Sequence, residues 1–362
     1  LDALHAALAR AERGEGTARL LFYGGSHTAG DLFTGWLRQA LQARFGDAGH
    51  GFVPVVPLVE DPWAWGLRID DAEGWEPRQV NSKFRSIARY GLVGVSFVAA
   101  EPGAFAAVAS DHWGSGREAS HLELLFDRHP GGGALEVWID ARLVDTIETA
   151  SEAPSSGRAS WDVSDGPHRF EIRAHDAREV VVYGVVLERD RPGVIVDNLG
   201  VVGGKARHQL RWDEAQWREL FTARRPDLFA LAYGTNELED LDVDIEGHEH
   251  HLRSVIARMR AAAPGASCLL IGPTDRAQVR GGQVVPMGDP EAMTEMQRLL
   301  AIEEGCAFFD TLALMGGPGG LQRWTALDPP LAREDLLHLT PAGYAVWAEA
   351  LHEGLLEGYD AR

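Results

Sequence analysis

The sequence predicts an α/β protein, a doubly wound and mostly parallel sheet that carries an inserted all-β unit of the sandwich or jelly-roll kind. Three observations predict it. Near the amino end a strand, a tight turn and a helix follow one another; between about 62 and 191 the hydrophobic pattern alternates with a period of two; from 194 onward strands alternate with helices again.

Residues 1–13 read as a short amphipathic helix, 18–23 as an apolar strand, and 32–45 as a helix after a Gly-Gly-Ser turn. The runs 92–99, 121–126, 135–140, 169–174 and 180–188 are short and alternating. Clusters of Gly, Pro, Ser and Asp such as 130–133 and 154–157 separate them, as in an antiparallel sandwich. Strands are then expected at 194–197, 228–233, 267–271 and 307–310, and helices at 212–224, 250–263, 291–304 and 341–356. Such alternation implies parallel strands joined by crossover helices, with a site at the carboxyl ends of the strands. The expected organisation is 1–61 and 192–362 as two parts of one α/β domain, with 62–191 inserted between them. A chain of 362 residues, 45% of them hydrophobic, suits two domains, because single cores usually stop growing near ~250 residues.

The formal net charge of −20 argues against a nucleic-acid partner, which needs a basic footprint, and against attraction to an anionic membrane surface. No apolar stretch approaches the ~18 residues of a membrane span, so no integral membrane segment is expected. Cys268 and Cys306 each adjoin an apolar run, and buried free thiols are the expectation. A chain that begins at Leu1 without methionine is compatible with a removed secretion signal, and a periplasmic or extracellular location is expected.

The chemistry is read from four segments. Ser26, in Tyr23-Gly24-Gly25-Ser26-His27, stands where a strand turns into a helix, and its own N–H lies near a helix amino end that favours developing negative charge. Asp335-Leu336-Leu337-His338 precedes the cap pair Thr340-Pro341. That spacing lets a carboxylate hold one imidazole nitrogen while the other faces a nucleophile. Asn198 to Gly204 and Gly234-Thr235-Asn236-Glu237 each follow a strand, so backbone N–H groups and the Asn236 amide are expected on the same rim. Thr28 stands where the elbow of an α/β-hydrolase, G-x-S-x-G, requires glycine, which excludes that fold. His27 is an unsuitable base, because neighbouring residues on a turn into a helix point different ways.

Together the four segments resemble the SGNH (GDSL-like) hydrolase family over about 230 residues outside the insert. The resemblance implies a flavodoxin-like sheet and a serine esterase needing no cofactor. Ser26 would be the nucleophile, His338 with Asp335 the acid/base pair, and Ser26, Gly203 and Asn236 the oxyanion donors. The run Gly25-Ser26-His27-Thr28-Ala29-Gly30-Asp31, followed by a β insert, resembles bacterial family members that remove O-acetyl groups from peptidoglycan or other polysaccharides. In those relatives the insert resembles a carbohydrate-binding jelly roll, so the expected substrate is an acylated carbohydrate or small ester. Alternatives are an O-acyltransferase with the same triad, a lipase or thioesterase, and a catalytically decayed carbohydrate-binding protein. One departure concerns Gly25, where the family usually has Asp. It predicts a more loosely held nucleophile turn and a Gly25→Asp variant whose turnover is unchanged or raised.

Other motifs read as structural. His248, His250 and His251 match no zinc spacing and are assigned to a surface helix, and Asp240, Asp242, Asp244 and Glu246 lack a calcium loop's glycine and final glutamate, so no metal is expected. Of Trp63, Trp65, Trp75, Trp113 and Trp138, Trp138 is expected in the core and Trp113 at the surface as a candidate sugar-stacking residue.

Overall fold

A computed structural model describes residues 1–59, 65–70, 72–81, 88–240 and 242–360; Trp63 and the expected boundary at 62 lie outside them. Five parallel strands form the central sheet, in the spatial order Gly193–Gly200, Thr17–Gly24, Leu228–Ala232, Ser267–Ile271, Ala307–Phe309. Counted along the chain among themselves, this is the order 2-1-3-4-5 of flavodoxin-like sheets. The order reverses beside Thr17–Gly24, and Ser26 leaves the carboxyl end of that strand.

The strands are apolar along nearly their whole length because both faces are covered. Successive residues point to opposite sides. Leu20 and Phe22 join Val194, Val196, Leu228 and Ala230 in a core shared with the helices Asp2–Glu12, Leu32–Phe45 and Pro341–Asp360. Leu21 and Tyr23 join Phe229, Leu231 and Leu270 in a second core with residues of the helices Glu214–Arg224, Ile245–Ala262 and Pro290–Glu303.

Strands between Gly49 and Glu188 form two antiparallel sheets, one of five strands and one of six, the latter including Gly49–Val53, which pairs with Val180–Glu188. Phe97, Leu122 and Leu124 of the larger sheet and Val108, Val137 and Ile172 of the smaller lie in one apolar core, which continues into the second core of the central sheet. At that junction Glu188 accepts from Arg19 (2.6 and 2.7 Å) and Arg224 (2.6 Å), and Arg224 also holds the buried Asp197.

Two sequence expectations are corrected here. Cys268 and Cys306 are not free thiols but a disulfide, with a Cα–Cα distance of 4.6 Å. The parallel register that pairs Leu269 with Ala307 also sets Cys268 opposite Cys306, an adjacency created by the intervening crossover helix. Trp138 is not in the core. In Ala134–Ile139 its neighbours Val137 and Ile139 point inward, so Trp138 faces outward and lies half-buried under Arg173, whose guanidinium carbon is 4.6 Å from the ring centre.

The disulfide spans a sequence separation of 38 residues, and closing such a loop in the unfolded chain is worth about 4 kcal/mol by the chain-entropy relation. Cys268→Ala with Cys306→Ala is therefore expected to lower the melting temperature by several degrees. Thermal melts check this; an unchanged melt would contradict it.

Candidate active site

Gly25 ends the first central strand's approach to the turn, and Ser26–Ala29 forms a single helical turn, closed by Thr28 N–H and Ala29 N–H donating to Gly25 O at 3.1 and 3.0 Å. The turn is tied down from behind. Asn198 donates from its amide to Thr28 O (2.7 Å) and Asp31 Oδ1 (3.1 Å), and the fully buried Arg38 donates to both Asp31 oxygens and to Val196 O. Asp31 sits at φ +53 and also accepts from Thr34. These bonds fix the start of Leu32–Phe45, so the turn that bears Ser26 is held although residue 25 has no side chain.

The loop before the last helix is also fixed. Thr340 Oγ1 accepts from Gly343 N–H at 3.2 Å, capping Pro341–Asp360. Arg333 N–H donates to His338 O (2.8 Å), and Ala277 N–H donates to Leu336 O (3.1 Å). Asp335 Oδ1 accepts the backbone N–H groups of Leu337 and His338, which leaves Oδ2 facing the imidazole.

The structure brings Ser26, His338 and Asp335 into one line. Ser26 Oγ lies 2.9 Å from His338 Nε2, and His338 Nδ1 lies 2.7 Å from Asp335 Oδ2. Burial alone would raise the Asp335 pKa, but the His338 and Leu337 N–H groups and the imidazole hold it below the usual carboxylate value. Asp335 is therefore ionised at neutral pH, as a group that orients an imidazole must be.

Asn236 follows Leu228–Ala232, and its amide donates to Gly204 O at 3.0 Å, its second N–H having no partner among the described residues. Gly203 is in the left-handed region at φ +68, within the turn that Gly204 N–H closes on Val201 O (2.8 Å). Glu237 clamps the two loops together, one oxygen accepting from Ala206 N–H and the other from Gly234 N–H, both at 2.8 Å. Asn81 reaches across from the antiparallel region and donates to Val202 O at 2.6 Å. Sequence reasoning gave neither residue a role. Glu237 stands inside a quoted motif, but nothing in the sequence links Asn81 to a loop more than a hundred positions away.

Gly25 has φ −86 and ψ −150, extended backbone open to any residue. Space is the constraint: a Cβ there would lie 2.6 Å from Asn236 Nδ2. This argues against the expectation for Gly25→Asp, since a side chain at 25 requires the Asn236 amide to shift.

The adjacent His27 is buried and turned away from Ser26 Oγ, with Nδ1 2.7 Å from Tyr344 Oη and Nε2 3.2 Å from Thr274 Oγ1. Burial, reinforced by His338, pushes its pKa down to about 3, so it is neutral at working pH.

Trp113 is 48% exposed and meets Trp65 edge-on, with ring centres 5.1 Å apart. Trp65 in turn lies against Gly35. His248, expected on a surface face, is buried, and Asp240 is paired with Lys205 and Arg207 instead of being free in solvent. Among the described residues, no three His, Cys, Asp or Glu side chains are grouped to hold a metal ion, and no helix is long and apolar enough to cross a membrane.

Comparison with known proteins gives a full-length structural likeness. A peptidoglycan O-acetylesterase structure superposes with a TM-score of 0.80 at 23% identity, covering 99% of this chain and 97% of the other. An acetylxylan esterase from Geobacillus stearothermophilus (TM-score 0.35, 21% identity, 46% of this chain, 73% of the other) and a family two carbohydrate esterase from Cellvibrio japonicus (0.33, 12%, 80%, 99%) are much looser likenesses. No curated protein matches the chain. The GDSL-like Lipase/Acylhydrolase family matches residues 166–346, a stretch that holds Gly203, Asn236, Asp335 and His338 but begins after Ser26. With half the sequence matched and a parallel sheet in the flavodoxin order, the chain belongs to the GDSL-like lipase/acylhydrolase family of carboxylic ester hydrolases.

Proposed function

We propose that this protein is a serine esterase that removes short acyl groups, chiefly acetyl, from a carbohydrate or peptidoglycan. The hydrogen-bonded line from Ser26 through His338 to Asp335 carries the reading. Ser26 Oγ attacks the ester carbonyl as His338 Nε2 takes its proton, and Asp335 stabilises the resulting imidazolium. The N–H groups of Ser26 and Gly203 and the Asn236 amide receive the oxyanion. Its collapse expels the alcohol, which takes the proton from His338. Water activated by the same imidazole then releases the acid and restores Ser26.

A short acyl group is supported by the full-length likeness to a peptidoglycan O-acetylesterase. A carbohydrate is supported by the exposed Trp113 ring and by the likeness to a peptidoglycan O-acetylesterase. In this reading residues 62–191 are an inserted jelly-roll-like domain that holds the polymer. The disulfide supports an oxidising compartment, periplasmic or extracellular.

Nitrophenyl esters from acetate upward test the acyl preference. Turnover is expected to fall steeply beyond the shortest chains, and a maximum at long chains would sink the acetyl reading. Trp113→Ala is expected to weaken capture of an acetylated polysaccharide about tenfold while nitrophenyl acetate turnover stays unchanged. An equal loss on both substrates would place this residue in the reaction centre instead.

A further inference from the structure

Thr274 is fully buried just beyond the strand Ser267–Ile271, and the reaction described above gives it no part. Its hydroxyl lies 3.2 Å from His27 Nε2 and 3.1 Å from Thr235 Oγ1, and its backbone N–H donates to Thr235 Oγ1 at 3.0 Å. His27 is the residue after Ser26; Thr235 is the residue before Asn236. At its other end His27 meets Tyr344 Oη at 2.7 Å, on the helix that follows His338. One buried chain of hydrogen bonds therefore joins the neighbours of the nucleophile and of the oxyanion amide to the helix behind the base.

We propose that the chain His27–Thr274–Thr235 is a positioning device that sets the nucleophile turn against the amide of Asn236, with Thr274 as its central link. The inference rests on the esterase reading and adds residues that touch no reacting atom.

The chemistry of the link suits the task. A neutral imidazole has one donor and one acceptor, and the hydroxyls on either side, Tyr344 and Thr274, can each take the complementary part. Either tautomer thus leaves the chain complete. Neutrality matters as well, because the rings of His27 and His338 are centred 5.5 Å apart. A cation at 27 would oppose the imidazolium that forms on His338 when Ser26 gives up its proton. The two outer links, His27 and Thr235, each sit one peptide from a group whose placement governs rate, and misplacement by about 1 Å can cost on the order of 100-fold.

The test compares Thr274→Val, which keeps the shape and loses the hydroxyl, with Thr274→Ser, which keeps the hydroxyl, in the whole chain with nitrophenyl acetate. Thr274→Val is expected to lower kcat about tenfold with KM within twofold and a cooperative melt, and Thr274→Ser to restore most of the rate. Combined with Asn236→Ala, Thr274→Val should cost less than the product of the two single losses, because both act on one placement. Wild-type kcat in Thr274→Val, an equal loss in Thr274→Ser, or full multiplicativity with Asn236→Ala would each overturn the positioning role. Ser26→Ala run alongside separates the two ideas: if it keeps turnover, the esterase reading falls and takes this proposal with it.

Discussion

Ser26→Ala is expected to abolish hydrolysis of nitrophenyl acetate, with a loss of turnover on the order of 10⁶, and His338→Ala to match it. The expectation follows from the 2.9 Å contact between Ser26 Oγ and His338 Nε2, which makes the two groups one unit. The double variant should accordingly be scarcely worse than either single one. Asp335→Ala should lose less, on the order of 10⁴, because the imidazole keeps its place beside Ser26 and loses mainly its tautomer control. All three side chains lie at the rim of the sheet and outside both apolar cores, so the variants should melt close to wild type. Turnover above a few per cent in Ser26→Ala would remove it as nucleophile.

The second large effect concerns Asn236, the proposed oxyanion donor. Asn236→Ala is expected to lower kcat by roughly 100- to 1000-fold with little change in KM, the usual loss when one oxyanion donor is removed. Gly25→Asp should approach that loss without touching Asn236 itself, because its Cβ would lie 2.6 Å from the amide nitrogen and push the donor aside. The backbone at 25 accepts a side chain, so a folded protein is expected. A folded Gly25→Asp variant with wild-type kcat would show that Asn236 can yield without consequence, contradicting its assigned place.

Much of this was legible in the sequence because its signals are local. Four of the five central strands are mostly apolar runs buried on both faces, and the turn and cap residues around Ser26 and Thr340 mark their elements directly. The Asp335 and His338 pair needed only a three-residue spacing. What escaped was produced by tertiary pairing. Arg142–Glu148 and Ser155–Pro167 are largely exposed polar strands, recognisable only by their partners across the sheet. Phe105–Ser110 is rich in alanine and shows no clear alternation. The Cys268 to Cys306 bond and the His27–Thr274–Thr235 chain join segments that meet only once crossover helices have brought their strands together. At Gly25 the sequence shows that a family residue is missing but not what occupies its space.

The central claim is that an acyl group passes through Ser26, and trapping that intermediate tests it most directly. After rapid mixing with excess nitrophenyl acetate and acid quenching, peptide mass spectrometry should find one acetyl group on the peptide bearing Ser26. The fraction labelled should rise when deacylation limits turnover, and no label should appear on that peptide in Ser26→Ala. An acetyl group found elsewhere, or full turnover with Ser26 unlabelled under conditions where a nitrophenolate burst is seen, would contradict the account.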